Sequence, residues 1–293
     1  MKPKVLVTGA NGQLASCIRD LESSFPEFDF IYTNTSELDV TNLDQSTNFF
    51  IKTKVDWCIN CAAYTAVDKA ENDEQNATNI NVTGVKNLAV VCQKNKTILI
   101  HISTDFVFDG ITTKPYKETD ITNPKNIYGL TKLKGEHEII NSLEHYFIIR
   151  TSWLYSEYGN NFMKTMIKTS KEKAEISVIN DQIGTPTYAT DLAKVILEFI
   201  VSKNKNFGIY HYSNEGKASW YDFAKAIFEE KKIKIKLHPI KTEFYPTPAK
   251  RPRYSVLDKT KIKHNLNIEI PNWEDSLKTA LQKLNGQEFK NSY

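Results

Sequence analysis

No stretch of the chain stays apolar for the ~18 residues that a membrane-spanning helix needs, and no charged lead-in with a signal-peptide core is found. Export and membrane insertion are therefore not expected, and a cytoplasmic location is. Cysteine is scarce, at four in 293 residues, so no disulfide framework is expected to organise the fold. Charge of one sign is missing too. Against 38 Lys and Arg stand 35 Asp and Glu, a formal net +3. That balance is too even for nucleic acid to be a main partner. Lysines gather at Lys231 to Lys236 and Lys259 to Lys263, but both runs alternate with apolar residues and read as solvated faces. Internal repeats, low-complexity tracts and a clear linker are also lacking. What remains, 40% hydrophobic and 25% charged, is the make-up of an ordinary globular protein.

Short apolar runs alternate with segments of helical spacing. Val5-Leu6-Val7, Phe28 to Tyr32, Val55 to Ala62, Thr97 to Ile102 and Tyr146 to Arg150 read as strands. Helices are expected from Leu43 to Ile51, from about Ala70 to Gln93 with Ile80, Val85, Leu88 and Val91 as its buried stripe, and from Ile127 to Asn141. Farther on, Ile176 to Ile179 and Ile209 to Tyr212 read as strands, and Thr190 to Val201 and Trp273 to Leu284 as helices. Ser219 reads as the N-cap of another. Such alternation means right-handed βαβ units. The fold class is α/β: a Rossmann-type doubly wound parallel sheet with a smaller C-terminal substrate-binding lobe. Residues 1–155 are expected to form the dinucleotide-binding domain. Residues 156–293 should be mostly lobe, with some elements returning to the sheet. Cys58 and Cys61 have a metal-like or redox-like spacing, but three apart on a strand they face opposite ways.

Ligands in such sheets bind beyond the carboxyl ends of the strands. Gly9, Ala63, Thr104 and Trp153 each follow such an end and should meet at one crevice. The turn Thr8-Gly9-Ala10-Asn11-Gly12-Gln13-Leu14-Ala15 comes directly after the first strand. Glycines there let the backbone approach a pyrophosphate, and the following helix N-terminus offers amide donors. Ala15 stands where a third glycine would be. The end of the second strand, Tyr32-Thr33-Asn34-Thr35-Ser36, holds neither an acid for a ribose 2′-hydroxyl nor an arginine for a 2′-phosphate. NADH and NADPH are therefore both expected to be accepted. Asp39 either faces the adenine beside Val40 or caps the next helix. Finally, Tyr128-Gly129-Leu130-Thr131-Lys132 places a phenol and an ammonium on one helix face. The cation is expected to stabilise the phenolate and bring proton transfer into range near neutrality.

These residues resemble the extended short-chain dehydrogenase/reductase superfamily. Longer segments are similar to the dTDP-4-dehydrorhamnose reductase family: Ala62-Ala63-Tyr64-Thr65-Ala66-Val67-Asp68-Lys69-Ala70-Glu71, Ser103 to Gly110, Arg150 to Tyr155, Gly159 to Phe162, Asn180 to Thr187 and Arg251 to Asp258. The resemblance covers all but about the last dozen residues. It implies that Gly9, Asn11, Gly12, Gln13, Leu14, Asp39, Val40, Ala62, Ala63, Tyr64 and Thr65 hold the dinucleotide, with Tyr128 and Lys132. It makes Tyr128 the proton donor, Lys132 its tuner and grip on the nicotinamide ribose, and Thr104 a partner of the reacting oxygen. Asp105 would meet a sugar hydroxyl, Trp153 would pack on the sugar, and Arg251 would sit near the nucleotide portion. The implied reaction reduces a dTDP-4-dehydro-6-deoxyhexose for surface polysaccharide precursors, with a homodimer among the expectations. Some relatives join subunits through magnesium held by glutamates. Ala15 and Thr190 fall near two of those positions, so no such metal is expected.

Phe106 stands where a dehydratase of the superfamily carries a proton-moving glutamate, which disfavours elimination of water. Two further readings are a reductase or epimerase of another nucleotide-linked deoxysugar, and a non-catalytic regulator like the β subunit of methionine adenosyltransferase. The joint presence of Thr104, Tyr128 and Lys132 favours catalysis over the regulator.

Overall fold

Val5 and Val7 bury on one face of the first strand and Leu6 on the other, so that strand is apolar on both sides. Such strands belong to a parallel sheet covered on both faces. In the computed structural model, which describes residues 1–290, six strands form that sheet. They are β1 (Lys4–Thr8), β2 (Asp29–Thr33), β3 (Trp57–Asn60), β4 (Ile98–Thr104), β5 (Tyr146–Thr151) and β6 (Gly208–His211). Their order is β6-β5-β4-β3-β1-β2, and every pairing is parallel. The order reverses between β1 and β3, and the crevice at that switch point is where ligands enter such sheets.

The helices that matter below are α1 (Gln13–Leu21), α2 (Leu43–Thr53), α3 (Val85–Asn95), α4 (Ile127–Ser142), α5 (Phe162–Glu172), α6 (Ala189–Val201), α7 (Trp220–Glu230) and α8 (Trp273–Lys290). On one face of the sheet, Leu14, Cys17 and Ile18 of α1 and Leu192 to Ile200 of α6 cover Val5, Val7, Ile59 and Phe147. On the other, Phe50 of α2, Leu88 and Val91 of α3 and Ile139 of α4 cover Leu6, Cys58, Leu99 and Ile148. Thus α6 and β6, from the second half of the chain, return to the sheet. Cys58 and Cys61 do face opposite cores.

A second core gathers Met163, Met166, Phe223, Ile227, Leu277 and Ala280 of α5, α7 and α8 with Ile176 and Val178. The strand Glu175–Ile179 pairs in parallel with Lys236–Ile240 there. Ser219 caps α7 as expected, in a reciprocal capping box with Asp222. Residues 291–293 of the expected second range lie outside the described residues.

Three expectations need correcting. The helix expected from Ala70 to Gln93 is in pieces, Val67–Ala70 and Glu74–Thr78, followed by a π-helical turn, Asn79–Gly84, and then α3. The extra residue of a π turn re-aims its side chains. Here it turns Asn81 inward and leaves Ile80 at the cleft rather than in the buried stripe. The strand expected to run to Ala62 ends at Asn60, whose side chain takes over the Ala62 amide at 3.2 Å. Lys259 is no solvated residue. Its ammonium is buried, pairs with Glu215 at 3.4 Å and donates to the Asn214 carbonyl.

Candidate active site

Two adjoining cavities open at the carboxyl ends of the strands, of about 670 Å³ and about 540 Å³, and share Asn11, Gly12, Cys61 and Ala63. Gly9 and Gly12 shape their common wall. Gly9 adopts φ +67°, and a Cβ there would lie 2.8 Å from the Ala62 amide nitrogen at the end of β3, so only glycine fits. Gly12 is the N-cap of α1 and has no side chain to cap it, so the helix presents its first amides to the cavity. That is the backbone arrangement an anion such as a pyrophosphate fits. Ala15 is fully buried and Thr190 nearly so, in or beside the contact of α1 with α6. Among the described residues no cluster of His, Cys, Asp and Glu could hold a metal ion.

The smaller cavity is walled by Asn34, Thr35, Ser36, Asp39, Val40 and Ile80. Asp39 lines it, but its Oδ1 accepts from the amide and hydroxyl of Thr41 at 2.9 and 2.7 Å. The helix cap is Asn42 instead. Thr33 is buried. Glu37 folds back onto the Asn34 amide at 2.9 Å and does not line the cavity, so Asn34, Thr35 and Ser36 bring no charge to it and its one carboxylate is that of Asp39.

The larger cavity holds the chemistry. β4 ends at Thr104, whose hydroxyl donates to Asp105 at 3.0 Å. Asp105 is buried with Oδ2 unpartnered, and burial pushes its carboxyl up to about 6. α4 comes unusually close to this turn, because a Cβ on Gly129 would sit 2.2 Å from the Phe106 carbonyl oxygen. That approach sets Tyr128 beside Thr104, its ring edge-on to Phe106 at 5.6 Å. α4 is further fixed by Asn126, which accepts from the Gly129 amide at 2.7 Å and donates to the Lys250 carbonyl.

The largest influence on the Tyr128 phenol is burial rather than the cation. Burial pushes the Tyr128 phenol up to about 12, with the Thr104 hydroxyl working against that and Asp105 reinforcing it. Lys132 is buried, and its Nζ lies 2.7 Å from the Ile102 carbonyl oxygen and 3.2 Å from His101 Nε2. Burial brings Lys132 down to about 8. Tyr128 therefore rests as a phenol, the form a proton donor needs.

The far wall rests on the second core, called the lobe below. Trp153 takes a left-handed φ of +47° and packs against Gly184 and Trp220. The two indoles stack at 3.6 Å and 9°, and a Cβ on Gly184 would lie 2.6 Å from the Trp153 ring. Arg251 stands at the rim with its fork already bidentate on Asp68, at 2.9 and 2.6 Å. That pairing holds the Asp68 carboxyl below its ordinary range.

A family model described as RmlD substrate binding domain matches residues 2–285. The dTDP-4-dehydrorhamnose reductase of Aggregatibacter actinomycetemcomitans is 41% identical over 285 residues, 94% of this chain and 97% of that protein. The chain belongs to the dTDP-4-dehydrorhamnose reductase family. Two solved members superpose on it with a TM-score of 0.93. One, from Clostridium acetobutylicum, is 43% identical and covers 96% of this chain and 99% of its own. The other, from Bacillus anthracis in complex with NADP, is 41% identical and covers 97% and 100%.

Of the residues expected from the family, all but one line the two cavities. The exception is Tyr64, whose hydroxyl donates to Asp73 at 2.8 Å, away from the cleft. Its backbone is held by Asn81, which accepts from the Tyr64 amide and donates to the Tyr64 carbonyl and the Thr131 hydroxyl. The sequence reading missed Asn81, although an asparagine on the buried side of a helix is a signal. It also missed Trp220, at the start of α7, and the Asn60–His101 pair, which sits on mostly apolar strands. Gln13 keeps its backbone at the helix N-terminus while its side chain bonds Leu154, Ser156 and Asn161 across the cleft.

Proposed function

We propose that the chain is an NAD(P)H-dependent reductase of the carbon-4 ketone of a dTDP-4-dehydro-6-deoxyhexose. The reaction takes dTDP-4-dehydro-L-rhamnose to dTDP-L-rhamnose for surface polysaccharide precursors. One observation carries the reading: Tyr128, Thr104 and Asp105 lie in one cleft with the uncapped start of α1 and the Trp153 indole. A phenol, a hydroxyl and a buried carboxylate with one oxygen unpartnered suit a ketone oxygen flanked by a sugar hydroxyl.

The backbone from Gly9 to Leu14, with Asp39, Val40 and Ala62 to Thr65, would hold the dinucleotide, and Lys132 would grip its nicotinamide ribose. When bound, the nicotinamide supplies the hydride for carbon 4. Tyr128 donates the proton to the ketone oxygen, Thr104 orients that oxygen, and Asp105 accepts from a neighbouring sugar hydroxyl. Trp153, backed by Trp220, offers an apolar face to the 6-deoxy side of the sugar. Arg251 meets the nucleotide portion by exchanging Asp68 for phosphate oxygens. Residues 1–155 serve the cofactor and most of 156–293 the substrate. NADH and NADPH are both used, since the Asn34 segment presents no charge to the cavity. A cytoplasmic location and a homodimer belong to the same reading, as the family resemblance implies.

Phe106 packs on Tyr128 where elimination would need a second proton-moving group, which speaks against dehydration. The test is cofactor oxidation with dTDP-, GDP-, UDP- and CDP-linked 4-keto-6-deoxy sugars. Fastest turnover is expected with the dTDP sugar. No oxidation with any of the four would overturn the reading and favour a binding role.

A further inference from the structure

A row of buried polar side chains crosses the sheet beneath the cleft, and the reaction as described uses only its last member. Thr8, Asn60 and His101 are cross-strand neighbours in register on β1, β3 and β4. They face the side covered by α4 and end at Lys132. All four are at most 2% exposed. Thr8 Oγ1 donates to Asn60 Oδ1 at 2.7 Å, Asn60 Nδ2 lies 3.0 Å from His101 Nδ1, and His101 Nε2 lies 3.2 Å from Lys132 Nζ.

The direction of each proton follows from one group that cannot reverse. The Ala62 amide can only donate, and it points at Asn60 Oδ1 at 3.2 Å. Turning the Asn60 amide over would set its NH₂ against that N–H and leave Ala62 only a 3.4 Å contact to Thr8 Oγ1. Asn60 Nδ2 therefore faces the imidazole and donates, and His101 Nδ1 accepts. A neutral imidazole has one N–H, so its proton sits on Nε2, aimed at Lys132 Nζ. A neutral amine meets that N–H with its lone pair while donating to the Ile102 carbonyl. An ammonium has no lone pair and meets it donor against donor.

We propose that Thr8, Asn60 and His101 form a tautomer lock on Lys132, holding the imidazole proton on Nε2, where it opposes the ammonium and makes the lysine proton easier to lose. His101 and Asn60 are thus positioning residues that act through Lys132. The inference rests on the reading that Lys132 tunes Tyr128. Its consequence is that the lysine's charge becomes available near neutral pH, where the phenolate formed by proton donation calls for it. The depression of Lys132 and of His101 by burial runs the same way.

The other groups around Lys132 do not set this balance. Glu136, one turn along α4, favours the ammonium but is bound to Arg150 at 2.6 Å and to the Ser103 hydroxyl at 2.5 Å. The Cys61 thiol at the end of β3 is pushed up by burial and stays neutral, as does the Tyr128 phenol.

Asn60→Asp is the decisive variant. It keeps the shape, its carboxylate still accepts from Thr8 and Ala62, and its second oxygen accepts from Nδ1–H, which frees Nε2 to accept from an ammonium. The full-length protein, ¹⁵N-labelled at histidine and ¹³C-labelled at lysine, gives both readouts by NMR. Wild type should show His101 protonated on Nε2 with no imidazolium down to about pH 5. Asn60→Asp should show the proton on Nδ1 and a Lys132 midpoint raised by about one pH unit or more. The alkaline limb of kcat/KM should move up by the same amount, which a merely structural role would not produce. An Nδ1–H wild-type imidazole, or an unchanged Lys132 midpoint in the variant, would overturn the lock. If no nucleotide sugar is turned over, the proposed reaction fails, while the tautomer and the midpoint still decide this inference.

Discussion

The two walls of the cleft are built by different means. On the sheet side, positions are set by backbone. Gly9 lies against the end of β3, Gly129 lies against the Phe106 carbonyl, and Asn81 and Asn126 bond main-chain groups of neighbouring segments. On the lobe side, Gly184 also lies close to Trp153, but positions are set mainly by side chain on side chain: Trp153 on Trp220, and Arg251 on Asp68. Backbone contacts leave no room for adjustment, whereas stacked rings and a partly exposed ion pair can separate at modest cost. The sheet wall thus suits fixed chemistry and an invariant cofactor, and the lobe wall suits a sugar nucleotide that must enter and leave.

The contrast breaks most sharply at Tyr128. Tyr128→Phe should lower turnover by roughly 10²–10⁴-fold, because a positioned acid contributes about that much, while the cofactor Kd measured by fluorescence titration stays near wild type. Near-normal turnover would remove Tyr128 as the acid and leave the rigid wall without its purpose. Arg251→Ala should act more weakly and on one ligand alone. The Michaelis constant for the nucleotide sugar should rise about tenfold, ~1.4 kcal/mol, with the cofactor's constant unchanged. Melting should shift little, since an ion pair this open to solvent is worth ~0–1 kcal/mol. Equal effects on both ligands would show that the two walls are not separable in this way.

The difference between the walls also governs what could be read from sequence. The sheet was legible because parallel strands leave short runs apolar on both sides, and Gly9, Gly12, Thr104 and Tyr128 follow those runs at fixed intervals. The break at Glu71 to Asp73 was not legible, because the side chains there bond distant segments, Glu71 the Ile127 amide and Asp73 the Tyr64 hydroxyl. Nor was the state of Lys132. A spacing of four puts it on the face of Tyr128, but its partners, His101 and the Ile102 carbonyl, come from a strand 30 residues earlier. Arg251 lines the cleft, yet its pairing with Asp68 joins residues 183 apart and leaves no local mark.

The central claim, that the cleft reduces a ketone at carbon 4 of a nucleotide-linked 6-deoxyhexulose, is tested most directly by isotope transfer. The enzyme would be given its dTDP-4-keto substrate and NADPH carrying deuterium at the transferable nicotinamide position, and the sugar product read by NMR. One deuterium at carbon 4, matched by one equivalent of oxidised cofactor, is the predicted result. Product without deuterium, or an altered sugar with the cofactor still reduced, would contradict it.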